Sequence, residues 1–469
     1  MSVESVIVAT QWLFLGYFVA LNAVYIGLNV IALFTLRRYM GQRVAQVGPA
    51  LAPELDLPIT VIVPAYNEAL TLGESVRALL QLEYPQFEIV VVNDGSRDGT
   101  LQALVEEFSL RPFPEAYRVR LATQPVRSVY RSTVYPQLRV IDKANGGKAD
   151  SINAGINAAR YPIFCVIDAD SVLQRDSLRR AIQPFLDDAT TVAAGGTIRI
   201  ANGCRVSGGF LEQVDLPRHP LALFQIVEYL RAFLFGRLGW SPMNALLIVS
   251  GAFGLFRKEA VVAAGGFRAD TIGEDMELIV RLHRVLRAQR KPYRICYVPD
   301  PICWTEAPED LRTLARQRIR WQRGLIESLK LNASLCGNPR AGAVGLVAYP
   351  FFLVFECLGP LIEVFGFLVL LLAAVFGYLS LEGFLVLTGL AIALGILLST
   401  SAFLFEQMSF HVYPRLGQTL RLFVFAVIEN FGYRQLNALW RVWGTFQHLL
   451  RRPAKWGEMR RKAGWRQPG

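Results

Sequence analysis

The sequence predicts an α/β domain with a doubly wound sheet, inserted between apolar helices long enough to cross a membrane. Hydrophobic residues make up 53% and charged residues 19% of the 469-residue chain, a composition typical of a protein with membrane segments. The apolar excess lies in two blocks, one at the N-terminus and one after Val344. Between the blocks, short β-branched runs alternate with segments of helical spacing, as in a parallel sheet covered by helices.

The N-terminal block is one uncharged run from Ile7 to Leu36, followed at once by Arg37 and Arg38. A run of this length crosses a hydrocarbon core of roughly 30 Å with some tilt. Basic residues beside a span favour the cytoplasmic side, so the chain that follows is expected there. We therefore expect a transmembrane helix over residues 1–38, a proline-containing linker over 39–57 and a cytoplasmic domain over 58–332.

The central domain contains four β-branched runs of the kind found in buried parallel strands. They are Ile59–Val63, Glu88–Asn93, Arg139–Ile141 and Ile163–Ile167. Apolar residues at helical spacing over Thr71–Leu82 and Ala149–Ala159 predict connecting helices. A strand–helix–strand series of this kind binds ligands at the carboxyl ends of its strands. The segment Arg111–Gln137 contains four prolines and is interpreted as an inserted loop.

Two amphipathic stretches lie in the second half of this domain. Leu221–Gly239 combines aromatic residues with Arg231 and Arg237, a pattern that fits an interfacial helix and an ordinary core helix equally well. Leu311–Leu331 is a second, basic amphipathic stretch.

The C-terminal block, residues 333–450, is predicted to hold transmembrane or interfacial helices. Its apolar segments are Val344–Leu379, which Pro350 and Pro360 interrupt, the cleaner span Phe384–Phe405, and Leu420–Phe431. The last of these is compatible with a span, a re-entrant element or a surface helix.

The positive charge of the chain is concentrated at its end. Of a formal net charge of +11, residues 451–469 contribute seven Lys and Arg against one Glu. A basic segment after apolar helices is typical of a cytoplasmic tail facing anionic lipid, which argues against nucleic acid as a partner. A cytoplasmic tail requires two or four crossings after the domain. The six cysteines lack metal-ligand spacing and indicate reduced, mostly buried thiols.

Polar motifs follow three of the predicted strands. Pro64–Glu68 follows the first and Asn93–Ser96 the second, where a carboxylate can bind a ribose or a base and Tyr66 can stack on the base. Ordinary turn chemistry explains the same residue types. Asp168 and Asp170 follow the third. Two carboxylates one residue apart suit Mg²⁺ or Mn²⁺ bridging substrate phosphates, although alone they suit a solvated turn as well.

Three further features suggest chemistry. Lys148 lies where a glycine-containing loop enters a helix, a place suited to phosphate. Gly273–Asp275 opens a predicted helix, where a carboxylate can accept the proton of an attacking hydroxyl or simply stabilise the helix N-terminus. Gln317, Arg320 and Trp321 share one helical face. Arginine suits a diphosphate and tryptophan a sugar ring, and a basic interfacial helix is the alternative.

In this order, on an α/β domain between membrane segments, the motifs resemble the inverting family 2 glycosyltransferases of the GT-A fold. More narrowly, they resemble the membrane-embedded synthases of cellulose, hyaluronan, chitin, curdlan and poly-N-acetylglucosamine. The resemblance covers about Ile59 to Gly324 by motif. It implies a GT-A domain between transmembrane helices that transfers sugar from a UDP-sugar, with inversion, to a β-linked polysaccharide. It further implies processive synthesis, with secretion through the chain's own membrane helices.

The resemblance also implies roles for matching residues. Nucleotide-sugar binding falls to Pro64, Tyr66, Glu68, Asp94, Lys148, Asp168, Gln317, Arg318 and Arg320. Asp275 is the implied general base with Glu274 beside it, and Asp170 with Asp168 is implied to hold Mg²⁺ or Mn²⁺. Trp321, Gly251 and Phe253 are implied on the acceptor side. Two residues depart from the family's usual motifs: Arg318 stands where the second Gln of Gln-Gln-x-Arg-Trp is common, and Gly273 where Thr is common.

The implied setting is the bacterial-type inner membrane, with the catalytic domain cytoplasmic. Implied partners are a glycan or lipid acceptor, membrane lipid and an accessory membrane subunit. A non-processive transferase that makes a glycolipid would share every donor-side motif. Glu356 and Glu363, inside the apolar block, either line a polar path or form a buried structural pair. A transporter or scaffold with a nucleotide-sensing domain is a third alternative, but it needs neither a base nor an Arg-Trp pair.

Overall fold

The computed structural model describes residues 3–45, 57–207 and 210–452. Its core is one ten-stranded sheet with the order β3-β4-β5-β2-β1-β6-β11-β8-β12-β7, accompanied by the hairpin β9-β10. The strands are β1 Ile59–Ala65, β2 Phe87–Asn93, β3 Leu110–Pro112, β4 Val126–Ser132, β5 Leu138–Lys143, β6 Ile163–Ile167, β7 Val172–Leu173, β8 Thr191–Ile200, β9 Arg205–Ser207, β10 Phe210–Gln213, β11 Phe253–Arg257 and β12 Arg294–Thr305.

The four strands predicted from β-branched runs form the centre of this sheet. β5, β2, β1 and β6 pair in parallel, and their residues are almost entirely buried. β11 runs antiparallel to both β6 and β8, whereas β12 is parallel to β8. The α/β class is therefore confirmed, with a sheet that is mixed rather than wholly parallel.

The interpretation of Arg111–Gln137 as a loop was wrong. β4 lies within this segment and pairs antiparallel with β5, and β3 pairs with β4 at the sheet edge. Pro125 and Pro136 flank β4, and Pro112 ends the edge strand β3, so none of these prolines interrupts the centre of the sheet. Proline is tolerated at such positions because its missing N–H is not required there.

Helices cover the sheet and form the apolar blocks. They are α1 Val3–Ala45, α2 Leu72–Leu80, α3 Thr100–Glu107, α4 Lys148–Ala158, α5 Ser177–Ala181, α6 Gln183–Asp187, α7 Pro220–Leu230, α8 Leu238–Trp240, α9 Lys258–Ala263, α10 Glu274–Ala288, α11 Leu311–Leu331, α12 Tyr349–Phe351, α13 Gly359–Val375, α14 Leu381–Ser409, α15 Leu416–Ile428 and α16 Tyr433–Leu449. Segments Arg231–Arg237, Val344–Ala348 and Phe352–Cys357 are π-helical.

Two helices in the described ranges are long and apolar enough to cross a membrane, over Ala9–Gly41 and Thr388–Ser409. Val344–Cys357 and Gly359–Val375 form a bent pair, with 45° between them, that makes a third if it is one span. The bend falls beside Pro360, one of the two predicted interruptions. Most of the predicted linker, 46–56, and most of the basic tail, 453–469, lie outside the described residues.

Polar contacts attach the sheet domain to these apolar helices. The Tyr39 hydroxyl at the end of α1 donates to Asp300 of β12. Arg199 of β8 forms a buried ion pair with Glu406 of α14. Gly239 of α8 lies against α1 so closely that an added Cβ would stand 2.9 Å from the Leu28 carbonyl oxygen. The α7–α8 segment is thus packed between the domain and the apolar helices, which places the site described next beside them.

Candidate active site

The loop that carries Lys148 into the site is held by Asp94. The Asp94 carboxylate, 3% exposed, accepts hydrogen bonds from Lys143 Nζ at 2.5 Å and from the amides of Gly146 and Gly147 at 2.9 and 2.7 Å. Gly147 has φ +88°, a left-handed conformation that costs glycine little. Asp94 therefore shapes the turn that delivers Lys148 at the start of α4.

The first two motifs meet at the carboxyl ends of β1 and β2. The amide of Asn67 donates to Ser96 Oγ at 3.0 Å, and the Arg97 amide donates to Asn67 Oδ1 at 2.9 Å. Tyr66 is 41% exposed on this loop, whereas Pro64 is half-buried within β1. Glu68 accepts a hydrogen bond from Thr71 Oγ1 at 2.5 Å. A cavity of about 440 Å³ opens near this edge of the sheet, and its walls do not include these residues.

Lys148 is the centre of a partly buried acidic cluster. Its Nζ lies 2.5 Å from Asp168 Oδ1 and 3.8 Å from Glu274 Oε1, and it donates to the Gly251 carbonyl at 3.2 Å. Burial alone would lower the pKa of Lys148, but the negative charges of Asp168 and Glu274 outweigh it and raise that pKa. Burial raises the pKa of Glu274 to about 7, against the lowering effect of Lys148. Lys148 is thus a fixed cation facing the cavity.

Two backbone amides orient the carboxylate of Asp275. Its Oδ2 accepts a hydrogen bond from the Gly251 amide at 2.8 Å, and its Oδ1 accepts one from Met276 at 2.8 Å. A Cβ on Gly251 would lie 3.1 Å from Asp275 Oδ2 and 3.3 Å from Lys148 Nζ, so glycine allows the backbone to pass between them. The arrangement leaves an oriented carboxylate at the cavity wall.

One predicted acceptor residue does not fit. Phe253 begins β11 and is fully buried within the sheet, and it is absent from the cavity wall. The motif that includes Gly251 does reach the cavity, but both faces of β11 are buried, so the Phe253 side chain packs in the core. We therefore correct the assignment of Phe253 to a packing residue.

Asp168 and Asp170 both line the cavity, as a metal site would require. No group of three or more His, Cys, Asp or Glu side chains suited to a metal is found in residues 3–45, 57–207 and 210–452. Mg²⁺ commonly binds through one or two carboxylates and completes its shell with water and substrate phosphates. The two carboxylates therefore fit a metal that arrives with a diphosphate rather than one held by the protein alone.

Helix α11 forms the opposite wall. Gln317, Arg320 and Trp321 line the cavity, and Trp321 is 44% exposed. Arg318 is only 2% exposed and lies against Trp321 and Glu228. A Cβ on Gly273 would stand 2.9 Å from the Gly324 Cα, so the absence of a side chain at 273 lets α10 begin in direct contact with α11.

The cavity has a volume of about 440 Å³ and continues from the acidic cluster toward the apolar helices. At that end Glu356 accepts a hydrogen bond from the Tyr25 hydroxyl at 2.6 Å and lies 3.4 Å from Arg441. Glu356 thus lines the cavity, and its ion pair with Arg441 is only partly buried. Gln322, next to Trp321, donates to the Cys357 carbonyl at the helix bend at 2.9 Å.

Several wall residues were missed from the sequence. They are Glu228, Arg237, Asn437 and Arg441. Each lies on a helix outside the motifs, and a polar residue on an amphipathic helix carries no local sign of facing a cavity.

Comparisons with known proteins identify the family of the domain that carries this site. Residues 57–324 match the model of a family described as "Glycosyltransferase like family 2". Over 268 residues the chain is 31% identical to a poly-beta-1,6-N-acetyl-D-glucosamine synthase of Staphylococcus aureus strain COL, covering 57% of this chain and 54% of the relative. A synthase of the same name from Staphylococcus epidermidis is 29% identical over 266 residues, with the same coverage. The chain thus spans about half the length of these relatives.

The fold also matches a solved structure. A mannosyltransferase from Pyrobaculum calidifontis, in complex with GDP-Man and Mn²⁺, aligns with a TM-score of 0.50 and 19% identity. The alignment covers 92% of this chain and all of that one. At this identity the likeness establishes a common fold.

Proposed function

Because this chain belongs to the glycosyltransferase-like family 2, we propose that it transfers a sugar from a UDP-sugar, with inversion, onto a growing β-linked polysaccharide. The observation that carries the proposal is the continuous cavity. It joins a carboxylate cluster suited to the donor to an exposed tryptophan and to polar groups among the apolar helices. The likeness to poly-beta-1,6-N-acetyl-D-glucosamine synthases supports a polymeric product and makes N-acetylglucosamine the first sugar to test.

In this proposal the reaction is one displacement. Asp275 accepts the proton of the acceptor hydroxyl while that oxygen attacks the anomeric carbon from the face opposite the diphosphate. The bond to the diphosphate oxygen breaks in the same step, so an α-linked donor gives a β-linkage. The amide of Gly251 holds Asp275 Oδ2 in place. Glu274, buried beside Lys148, supports that cation rather than taking the proton.

The leaving diphosphate would be held by cations. Lys148 and Arg320 both line the cavity and can stabilise the charge that develops on it. Gln317 would bind the donor beside them, and Pro64, Tyr66, Glu68 and Asp94 would form the nucleotide end. Asp170, with Asp168, would hold Mg²⁺ or Mn²⁺, which when bound neutralises diphosphate charge.

The acceptor end would lie toward the membrane. Trp321 offers a flat apolar face to the sugar that receives the next unit, with Gly251 near the reacting end. The proximity of Glu356 and Arg441 supports passage of the product among the apolar helices, hence processive synthesis with secretion. Arg37 and Arg38 favour a cytoplasmic domain. The proposed setting is a bacterial-type inner membrane, with membrane lipid and an accessory membrane subunit as partners.

The test is incubation of purified, detergent-solubilised protein with radiolabelled UDP-sugars, beginning with UDP-N-acetylglucosamine, in Mg²⁺ or Mn²⁺. We expect high-molecular-weight product from one donor, reduced on the order of 10²- to 10⁴-fold in Asp275→Asn. Asp270→Asn, an exposed carboxylate five residues earlier, is the matched control. A small, organic-extractable product would replace the polymer synthase with a glycolipid transferase. Full activity of Asp275→Asn would remove that residue from the reaction.

A further inference from the structure

Arg318 has an environment unlike that of a diphosphate ligand. Its Nη2 lies 2.7 Å from Glu228 Oε2, and its guanidinium carbon lies 4.3 Å from the centre of the Trp321 ring. The Tyr433 hydroxyl donates to the same Glu228 oxygen at 2.9 Å. The charge of Arg318 is therefore already neutralised by Glu228, and its guanidinium lies against the indole ring rather than among the carboxylates around Lys148.

Three elements fix this group. Glu228 is in the last turn of α7, Arg318 in α11 and Tyr433 at the start of α16. The Tyr433 ring stacks on Phe224 at 4.8 Å between centroids and 19° between planes, which fixes its hydroxyl beside Glu228. Arg318 cannot swing toward the donor without leaving the partly buried Glu228 carboxylate without its cation, which is unfavourable.

Arg318 also has unused hydrogen-bonding capacity. Its Nε and Nη1 are buried, and neither finds a partner in the part of the chain that the structure describes. Buried N–H groups without acceptors are unfavourable, so a ligand oxygen at this position would be bound favourably. Arg318, Glu228 and Trp321 all line the cavity. The site thus combines an aromatic face, N–H donors and a carboxylate acceptor, with no net charge on the pair.

We propose that Arg318, Glu228 and Trp321 form a subsite for an uncharged sugar unit of the acceptor, with Arg318 donating to a hydroxyl or acetamido oxygen. The proposal rests on the proposed function and deepens it. A uronic acid unit would place its carboxylate beside Glu228 and be repelled. Arg318 also covers one side of the Trp321 ring, and so holds the indole plane with its other side toward the cavity. In this proposal Arg318 binds the acceptor, instead of the diphosphate as the family resemblance implied.

The test compares Arg318→Gln, Arg318→Lys and Glu228→Gln with the unsubstituted protein. Arg316→Gln, an exposed arginine on the same helix, is the matched control. The acceptor probe is a neutral tetrasaccharide of β-1,6-linked N-acetylglucosamine. In Arg318→Gln we expect the acceptor KM to rise on the order of 10-fold or more, while the KM of the UDP-sugar changes less than about twofold. Arg318→Lys keeps the ion pair with Glu228 but loses the planar set of guanidinium N–H donors. Its acceptor KM should therefore lie between those of the unsubstituted protein and Arg318→Gln.

A second measurement separates recognition from folding. Glu228→Gln leaves the Arg318 charge uncompensated, so a tetrasaccharide containing glucuronic acid should bind this variant several-fold more tightly than it binds the unsubstituted protein. A merely structural role would give parallel losses of affinity for both tetrasaccharides and a lower melting temperature, and would overturn the proposal. So would a raised KM for the UDP-sugar with an unchanged acceptor KM, because it would return Arg318 to the diphosphate.

The two proposals fail differently. If the unsubstituted protein turns over no UDP-sugar, the proposed function fails. Binding of the neutral tetrasaccharide to the unsubstituted protein and to Arg318→Gln, measured calorimetrically, still decides the subsite. Equal affinity in the two proteins would refute it.

Discussion

Replacing Gly324 with alanine should separate the base from the acceptor helix. A Cβ at 324 would lie 3.0 Å from the Gly273 Cα and 3.1 Å from the Gly273 amide nitrogen, whereas ordinary contacts are 3.4–4 Å. Both contacted atoms are backbone, so no side chain can turn aside. The start of α10 and the middle of α11 must therefore move apart by roughly 0.5 Å, the difference between close and ordinary contact of two packed atoms.

That displacement acts directly on the reaction. Gly273 precedes Glu274 and Asp275, and Gly324 follows Trp321 by three residues. A misplacement of about 1 Å costs on the order of 10²-fold in rate, so half that shift should lower kcat on the order of 10-fold. Overpacking should also destabilise the fold by about 1–3 kcal/mol. Gly273→Thr, which installs the residue common in related motifs, should be at least as damaging.

The assay is kcat for sugar transfer, together with the melting temperature of the detergent-solubilised protein. Gly417→Ala is the control, because a Cβ at that exposed helical position meets nothing within 4 Å. Normal kcat in Gly324→Ala, with a normal melting temperature, would refute the claim that the glycine contact fixes the distance between the base and α11.

Three other outcomes are expected. Lys148→Met should raise the KM of the UDP-sugar on the order of 10- to 100-fold, because a charged hydrogen-bond donor is lost; an unchanged KM would contradict a role at the diphosphate. EDTA should abolish transfer, and Asp170→Asn should raise the Mn²⁺ concentration that restores half of it by about tenfold or more. Burial lowers the pKa of His283 from 6.5 to about 4. The neutral, buried His283 therefore contributes fully to the free energy of unfolding above its unfolded pKa, and this contribution is lost as the pH falls. At pH 5 the free energy of unfolding should be lower by about 2 kcal/mol. In His283→Gln the melting temperature should depend less on pH over this range.

The motif positions were predictable because they depend on local pattern. β-branched runs located the strand ends that bear Tyr66, Asp94 and Asp168, and helical spacing placed Gln317 and Trp321 on one face. These features need no knowledge of distant residues, and the structure places them at one edge of the sheet and along one helix.

The remaining features depend on contacts between distant parts of the chain. Glu228 and Arg318 are 90 residues apart, and nothing near either residue indicates the pair. The strand β4 was hidden by flanking prolines, which are as common in loops as at sheet edges. The hydrogen bonds that Asp94 accepts from Lys143 and from the Gly147 amide likewise join residues that are 49 and 53 positions apart in the chain.

The helix bend at Leu358 has a consequence for how this chain can be divided. A bent helix leaves carbonyl groups without their usual donors, and here the domain supplies one: Gln322 donates to Cys357, while Arg441 donates to both Gln322 and Glu356. If the domain were produced without the apolar helices, Gln322 would lose its contacts with Cys357 and Arg441. If the apolar helices were transplanted alone, the Cys357 carbonyl would lose the hydrogen bond from Gln322. Chimeras between relatives should therefore exchange α11, the bent pair and α16 as a single cassette.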